Sequence, residues 1–199
     1  MVSCIRGGAR QGTSRERFNM SHRFNGLRWL AVTAVAIGFV GGTIIPHEAS
    51  ARDIVMFHDS NYPAGTIVVR TNERRLYYVM GDGRALRYPV GVGKAGKAGK
   101  AWSGRAQIDG KHISPAWSPP ADVKRDNPRL PDVIPGGSPN NPMGAAALTL
   151  NVGQYAIHGT NAPSSIGGFV SYGCIRMYNQ DVLDLFGRVS VGTAVVVTR

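Results

Sequence analysis

Cysteine is scarce in this chain. Of its 199 residues only Cys4 and Cys174 carry a thiol, so the body that follows the N-terminal leader holds one cysteine and no internal disulfide. Acidic residues are few as well: 12 Asp and Glu against 23 Lys and Arg leave a formal charge of +11. A balance this basic suits an acidic polymer (nucleic acid, membrane head groups or cell wall) or simply a soluble basic surface. What is missing narrows the choice. The positives are scattered singly or in short pairs such as Arg74-Arg75. No dense Lys/Arg run with interleaved aromatics occurs, which argues against nucleic acid. Gly91-Val92-Gly93-Lys94 lacks the phosphate-loop pattern, and no other nucleotide fingerprint is present. There is no internal repeat and no sign of a second folded domain, and one domain plus a short leader fits this length.

The one long apolar run is residues 29–45, WLAVTAVAIGFVGGTII. Arg23 and Arg28 precede it, and Ala49-Ser50-Ala51 follows. A positive flank, an apolar stretch and a small-x-small site together describe a secretory signal. The run also sits at the lower limit of a bilayer span, roughly 17 residues, so a retained anchor is the alternative and would be the chain's one membrane contact. Either outcome places the body outside the cytoplasm, in the periplasm or cell envelope. Cleavage is expected after Ala51. Met20 is an alternative start, because residues 1–19 are polar, Arg-rich and add nothing a signal needs; Cys4 falls in that stretch. The expected organisation is a leader over 1–51, a linker over 52–65 and a folded domain over 66–199.

Gly and Pro are plentiful in the body, which favours turns and short strands over long helices. Residues 66–70 (TIVVR) and 76–80 (LYYVM) read as strands rich in β-branched and aromatic side chains, with a hairpin turn at Asn72-Glu73. Further strands are expected over 85–92, 106–113 (with a turn at Asp109-Gly110), 147–152, 154–158 and 193–198. One main helix is expected over 179–189, where Val182, Leu183, Leu185 and Phe186 recur at near-helical spacing and Asn179 is placed to cap. A shorter helix is expected over 121–125. Two long irregular stretches, 91–105 and 127–144, read as binding walls or lids. The fold class is mainly β: packed sheets with one main helix.

The chemistry concentrates in residues 157–181, IHGTNAPSSIGGFVSYGCIRMYNQD. A single thiol in an exported body is an intermolecular disulfide, a buried inert side chain or a reactive nucleophile. Its surroundings favour the last. A thiol acting as a nucleophile needs a basic partner, because the thiolate attacks. His158 is the one imidazole in this stretch; His58 and His112 lack its Gly-rich setting. It needs donors for an oxyanion, and a Tyr172-Gly173-Cys174 turn offers successive backbone N–H groups, with Gly173 allowing close approach of a substrate. The base needs an orienting acceptor. No acid lies near His158 in sequence, so a backbone carbonyl is the candidate. As metal ligands His158 and Cys174 make two, short of the four usual for zinc. Neither a metal nor another cofactor is expected.

His158-Gly159-Thr160-Asn161 followed by Ser171-Tyr172-Gly173-Cys174-Ile175-Arg176-Met177 with Asn179 and Asp181 resembles the signature of the YkuD-like L,D-transpeptidase catalytic domain. The resemblance covers residues 66–199. It implies two packed mixed β-sheets with a helix after the nucleophile. It also implies that Cys174 attacks a peptidoglycan stem peptide and forms a thioester, which the amine of a second stem resolves into a 3→3 cross-link. His158 would shuttle the proton and the Gly159 carbonyl would orient it. The amides of Tyr172, Gly173 and Cys174, beside Ser171, would hold the oxyanion, and Arg176 would meet a substrate carboxylate. The same scaffold serves an L,D-carboxypeptidase, or a hydrolase that detaches wall proteins, when water is the acceptor; an envelope protein is a further acceptor. Three departures from the family pattern stand out. Tyr172 replaces a frequent His, the His158–Ser171 interval is short, and Trp102-Ser103-Gly104 replaces a Thr-Pro-x-Gly stretch. No accessory wall-binding module is visible.

Overall fold

Short β-rich segments separated by turns build a four-stranded antiparallel unit that five later strands extend. The computed structural model describes residues 52–94 and 101–199. The leader, its cleavage site, Cys4 and the alternative start all lie outside these, as do residues 95–100 of the first long loop. Strands β1 (Asp53–Met56), β2 (Ile67–Arg70), β3 (Arg75–Gly81) and β4 (Arg84–Pro89) pair antiparallel in the order β1-β4-β3-β2. The last strand, β11 (Ala194–Thr198), lies parallel to β2 and antiparallel to β6 (Gly104–Ile113). From β6 the sheet continues through β7 (Ala146–Leu150) and β8 (Ala156–His158) to β10 (Ile175–Arg176). Strands β5 (Val92–Gly93) and β9 (Phe169–Ser171) form a separate parallel pair. The mainly β expectation holds, and the two sheets prove to share one strand.

That shared strand is β6. Its first half pairs with β11 and its second with β7, with a shift of register between Ile108 and Gly110. Asp109-Gly110 is therefore a bulge and not the expected turn. A Cβ on Gly110 would lie 2.7 Å from both His112 and Thr149 side-chain atoms, so the close packing at the bulge selects glycine. The expected strand over 85–92 is likewise divided: β4 ends at Pro89, and β5 leaves to pair with β9. Residues 52–65, expected as a linker, contain β1, whose partner along its whole length is β4.

Both halves of the sheet and the main helix α2 (Asn179–Arg188) enclose one core. Ile67, Val69, Leu76 and Tyr88 come from one side and Ile108, Leu148, Ile157 and Ile175 from the other, with Val182 and Leu185 from the helix. Each such fully buried aliphatic side chain contributes about 1.5–3 kcal/mol. The helix end is fixed by Lys111, whose Nζ donates to the carbonyls of Phe186 (2.7 Å) and Val189, groups a helix C-terminus leaves unpaired. Among the described residues no helix is long and apolar enough to cross a membrane.

Candidate active site

Strands β8 and β10 run parallel, with Ile157 opposite Ile175 and His158 opposite Arg176. Ile157 and Ile175 are buried in the core. Successive side chains of a strand point to opposite faces. His158 and Arg176 therefore share the other face, and continuing the register one residue back puts Cys174 beside Ala156 on it. Cys174 indeed packs against the cluster of Met143, Ala147 and Ala156. Cys174, His158 and Arg176 line one groove of about 250 Å³. Trp117, Pro142 and Met143 form its wall, so the second long loop, 127–144, supplies part of a wall as expected. That loop is held from within by Asn141, which is 2% exposed and donates to the carbonyls of Pro115 (2.8 Å) and Pro135 (3.0 Å).

The imidazole is buried, and its Nδ1 stands 2.6 Å from the Gly159 carbonyl. A carbonyl only accepts, so Nδ1 carries the proton and Nε2 is the basic nitrogen of the neutral ring. Burial, and then the Arg176 charge, push His158 down to about 4; the Gly159 and Pro142 carbonyls pull the other way. The ring is uncharged at neutral pH, with its Nε2 lone pair free of a proton. Arg176 is pushed below its ordinary range by burial, an effect that the Cys174 sulfur opposes. Among the described residues its buried Nε has no hydrogen-bond partner. Arg176 also lines the groove, and a guanidinium there favours an incoming carboxylate.

The turn leading to Cys174 is tied internally. Ser171 is 2% exposed; its Oγ donates to the Cys174 carbonyl (2.6 Å) and accepts the Gly173 N–H (3.1 Å). The Gly173 N–H is thus engaged by Ser171, which braces the turn while also lining the groove. Gly173 has φ +115°, and a Cβ there would meet the Tyr155 ring at 2.2 Å, so no side chain fits. Tyr172 lines the same groove, and its hydroxyl donates to Asp126 (2.6 Å) at the end of the short helix α1 (Ala121–Asp126). Cys174 Sγ lies 3.9 Å from the Gln154 carbonyl. Among the described residues no three His, Cys, Asp or Glu side chains converge as a metal's ligands would.

The model of the YkuD L,D-transpeptidase catalytic domain matches residues 64–197. The chain belongs to this family. It is 39% identical over 163 residues to Probable L,D-transpeptidase YbiS of Escherichia coli K12, covering 78% of this chain and 49% of the relative. It is 41% identical over 135 residues to Probable L,D-transpeptidase ErfK/SrfK of the same organism, covering 65% of this chain and 42% of the relative. The chain thus spans about half the length of these curated relatives. Among solved structures, an L,D-transpeptidase from Mycobacterium smegmatis superposes with TM-score 0.54 at 16% identity, over 67% of this chain and 58% of that one. The catalytic domain of the Enterococcus faecium L,D-transpeptidase does so with TM-score 0.51 at 20% identity, over 67% of this chain and 95% of that one. At these identities the likeness is one of fold.

In this L,D-transpeptidase-family domain, Asn179 does what its sequence position hides. The helix is capped by Tyr178 without a side-chain bond, whereas the Asn179 amide reaches across to the strands. Its Oδ1 accepts from the amides of Ala145 (3.0 Å) and Thr160 (3.1 Å), and its Nδ2 donates to the Thr160 carbonyl (3.0 Å). Gly144 and Gly159 make room, since a Cβ on either would come within 2.3 Å of Oδ1. Asn179 therefore fixes the backbone directly after His158. An Asn at the first turn of a helix reads as a cap from sequence alone, and only the glycines at 144 and 159 hint at a side chain arriving from elsewhere.

Proposed function

We propose that this chain is an exported L,D-transpeptidase that works through a cysteine acyl-enzyme on peptidoglycan stem peptides. The observation that carries this reading is the shared face of β8 and β10, which gives one groove a thiol, a neutral imidazole and a guanidinium. His158 takes the thiol proton as Cys174 attacks the carbonyl of the third stem residue. The amides of Cys174 and Tyr172 steady the oxyanion, and a backbone donor of this kind contributes on the order of 10²–10³ in rate. The amide bond to the terminal residue breaks, the leaving amine takes the proton from His158, and a thioester remains on Cys174. A side-chain amine of a second stem then attacks the thioester and gives up its proton to His158; the C–S bond breaks, the 3→3 cross-linked product leaves, and the Cys174 thiolate takes the proton back from His158. Gly159 holds the ring in the right tautomer, and Arg176 receives a carboxylate of the donor stem.

The test is product analysis on purified tetrapeptide stems, with and without added acceptor stems. Cross-linked dimer and released terminal residue are expected from the wild type, and neither from Cys174→Ala. Free tripeptide acid alone, in both arms, would make the chain a hydrolase and defeat the transfer reading.

A further inference from the structure

Trp102 stands outside the groove wall yet touches the nucleophile turn. Its indole Nε1 donates to the Gly173 carbonyl at 3.1 Å. Its ring lies flat on Tyr155, with centroids 5.2 Å apart and planes 5° from parallel. Tyr155 in turn occupies the space a side chain on Gly173 would need. The two aromatics pack against the main core, so the indole is held by a rigid support and not by solvent.

A peptide unit is planar, with its carbonyl and its N–H pointing in opposite directions. The Gly173 carbonyl and the Cys174 N–H belong to one such unit. A donor fixed on the carbonyl end therefore sets the direction of the N–H end, and it polarises the same amide. Glycine with φ +115° has unusual freedom to rotate, so this is the place in the turn where an outside restraint matters most.

We propose that Trp102 is a positioning residue for the acylation step: by donating to the Gly173 carbonyl while stacked on Tyr155, it aims the Cys174 amide at the developing oxyanion. This rests on the acyl-enzyme reading given above. It gives a role to the Trp102-Ser103-Gly104 segment, which departs from the family pattern.

The experiment compares two reagents on one thiol. A carbapenem acylates through a tetrahedral oxyanion: the Cys174 sulfur bonds the lactam carbonyl carbon, the ring C–N bond breaks, and the ring nitrogen receives the thiol proton. Iodoacetamide alkylates the same sulfur at a saturated carbon, displaces iodide and forms no oxyanion. In the full chain, with adducts on Cys174 read separately from Cys4 by peptide mapping, Trp102→Phe keeps an aromatic ring and removes the N–H. Replacing Trp102 with benzothienylalanine keeps the bicyclic shape and removes only that donor, which guards against a misfolded variant. Both are expected to slow carbapenem acylation by roughly 10-fold, less than the loss of a direct oxyanion donor, and to leave the iodoacetamide rate within about twofold. An unchanged acylation rate in the benzothienylalanine variant overturns the proposal. So does an equal fall with both reagents, which would mean that Trp102 governs access to the thiol instead. A wild-type protein that takes no acyl group at all would defeat the enzyme reading itself, a different outcome from a wild type and variant that acylate equally fast.

Discussion

His158 ties stability to pH. The folded imidazole titrates near 4 against 6.5 for an ordinary histidine, so between those values the unfolded chain binds the proton that the folded chain refuses. Stability is full above about pH 6.5 and falls as pH drops towards 4, by up to about 3 kcal/mol. Urea unfolding at pH 7 and pH 4.5 should show this loss, and His158→Gln, which cannot charge, should reduce it. An equal loss in the variant would assign the acid sensitivity elsewhere. At Gly173 the expectation is steric: Gly173→Ala would force the Tyr155 ring aside at a left-handed backbone position, and acylation of Cys174 should fall at least tenfold, an order-of-magnitude expectation for a displaced reacting group.

The contact between α2 and the strands hangs on a few bonds that one substitution removes. Asn179→Ala strands the amides of Ala145 and Thr160, and Thr160 is 3% exposed. Leaving a buried donor unpaired costs about 1–3 kcal/mol, so thermal unfolding should move down by several degrees, roughly 2–4 °C per kcal/mol for a domain of this size. Asn179→Asp keeps the acceptor and should lose less; equal losses would mean the Oδ1 bonds matter little. Elements of this kind show where the sequence is legible. The hairpin from β2 to β3, the buried β11 and the amphipathic α2 were readable because alternation and helical spacing record burial on one face. The two-residue strands β5 and β10 carry no such period. Asp109-Gly110 reads as a turn because a bulge uses the same residues, and only a change of partner strand tells the two apart. At the site, Cys174 and His158 were legible through their rarity and their glycines. The inward tie of Ser171 and the reach of Asn179 were not, because each depends on which backbone group arrives from a distant segment.

Among the described residues the folded domain extends further towards the N-terminus than the expected start at residue 66. β1 covers the edge of β4, and Phe57 joins Val68, Tyr77, Val79 and Ala85 in a second core cluster against which Val55 and Tyr62 pack. Removing residues 52–65 should therefore expose an unpaired strand edge and apolar surface, lower the unfolding temperature and promote aggregation. A chain starting at residue 66 as stable and as monodisperse as one starting at residue 52 would show that β1 is dispensable. The proposed function rests on Cys174 accepting the acyl group with His158 as its base. Intact mass after incubation with a carbapenem tests it most directly. The wild type should gain the mass of one ring-opened drug on Cys174, Cys174→Ala should gain none, and His158→Gln should acylate more slowly by a factor on the order of 10²–10⁴. A wild type whose mass does not change, or an adduct that persists in Cys174→Ala, would contradict the account.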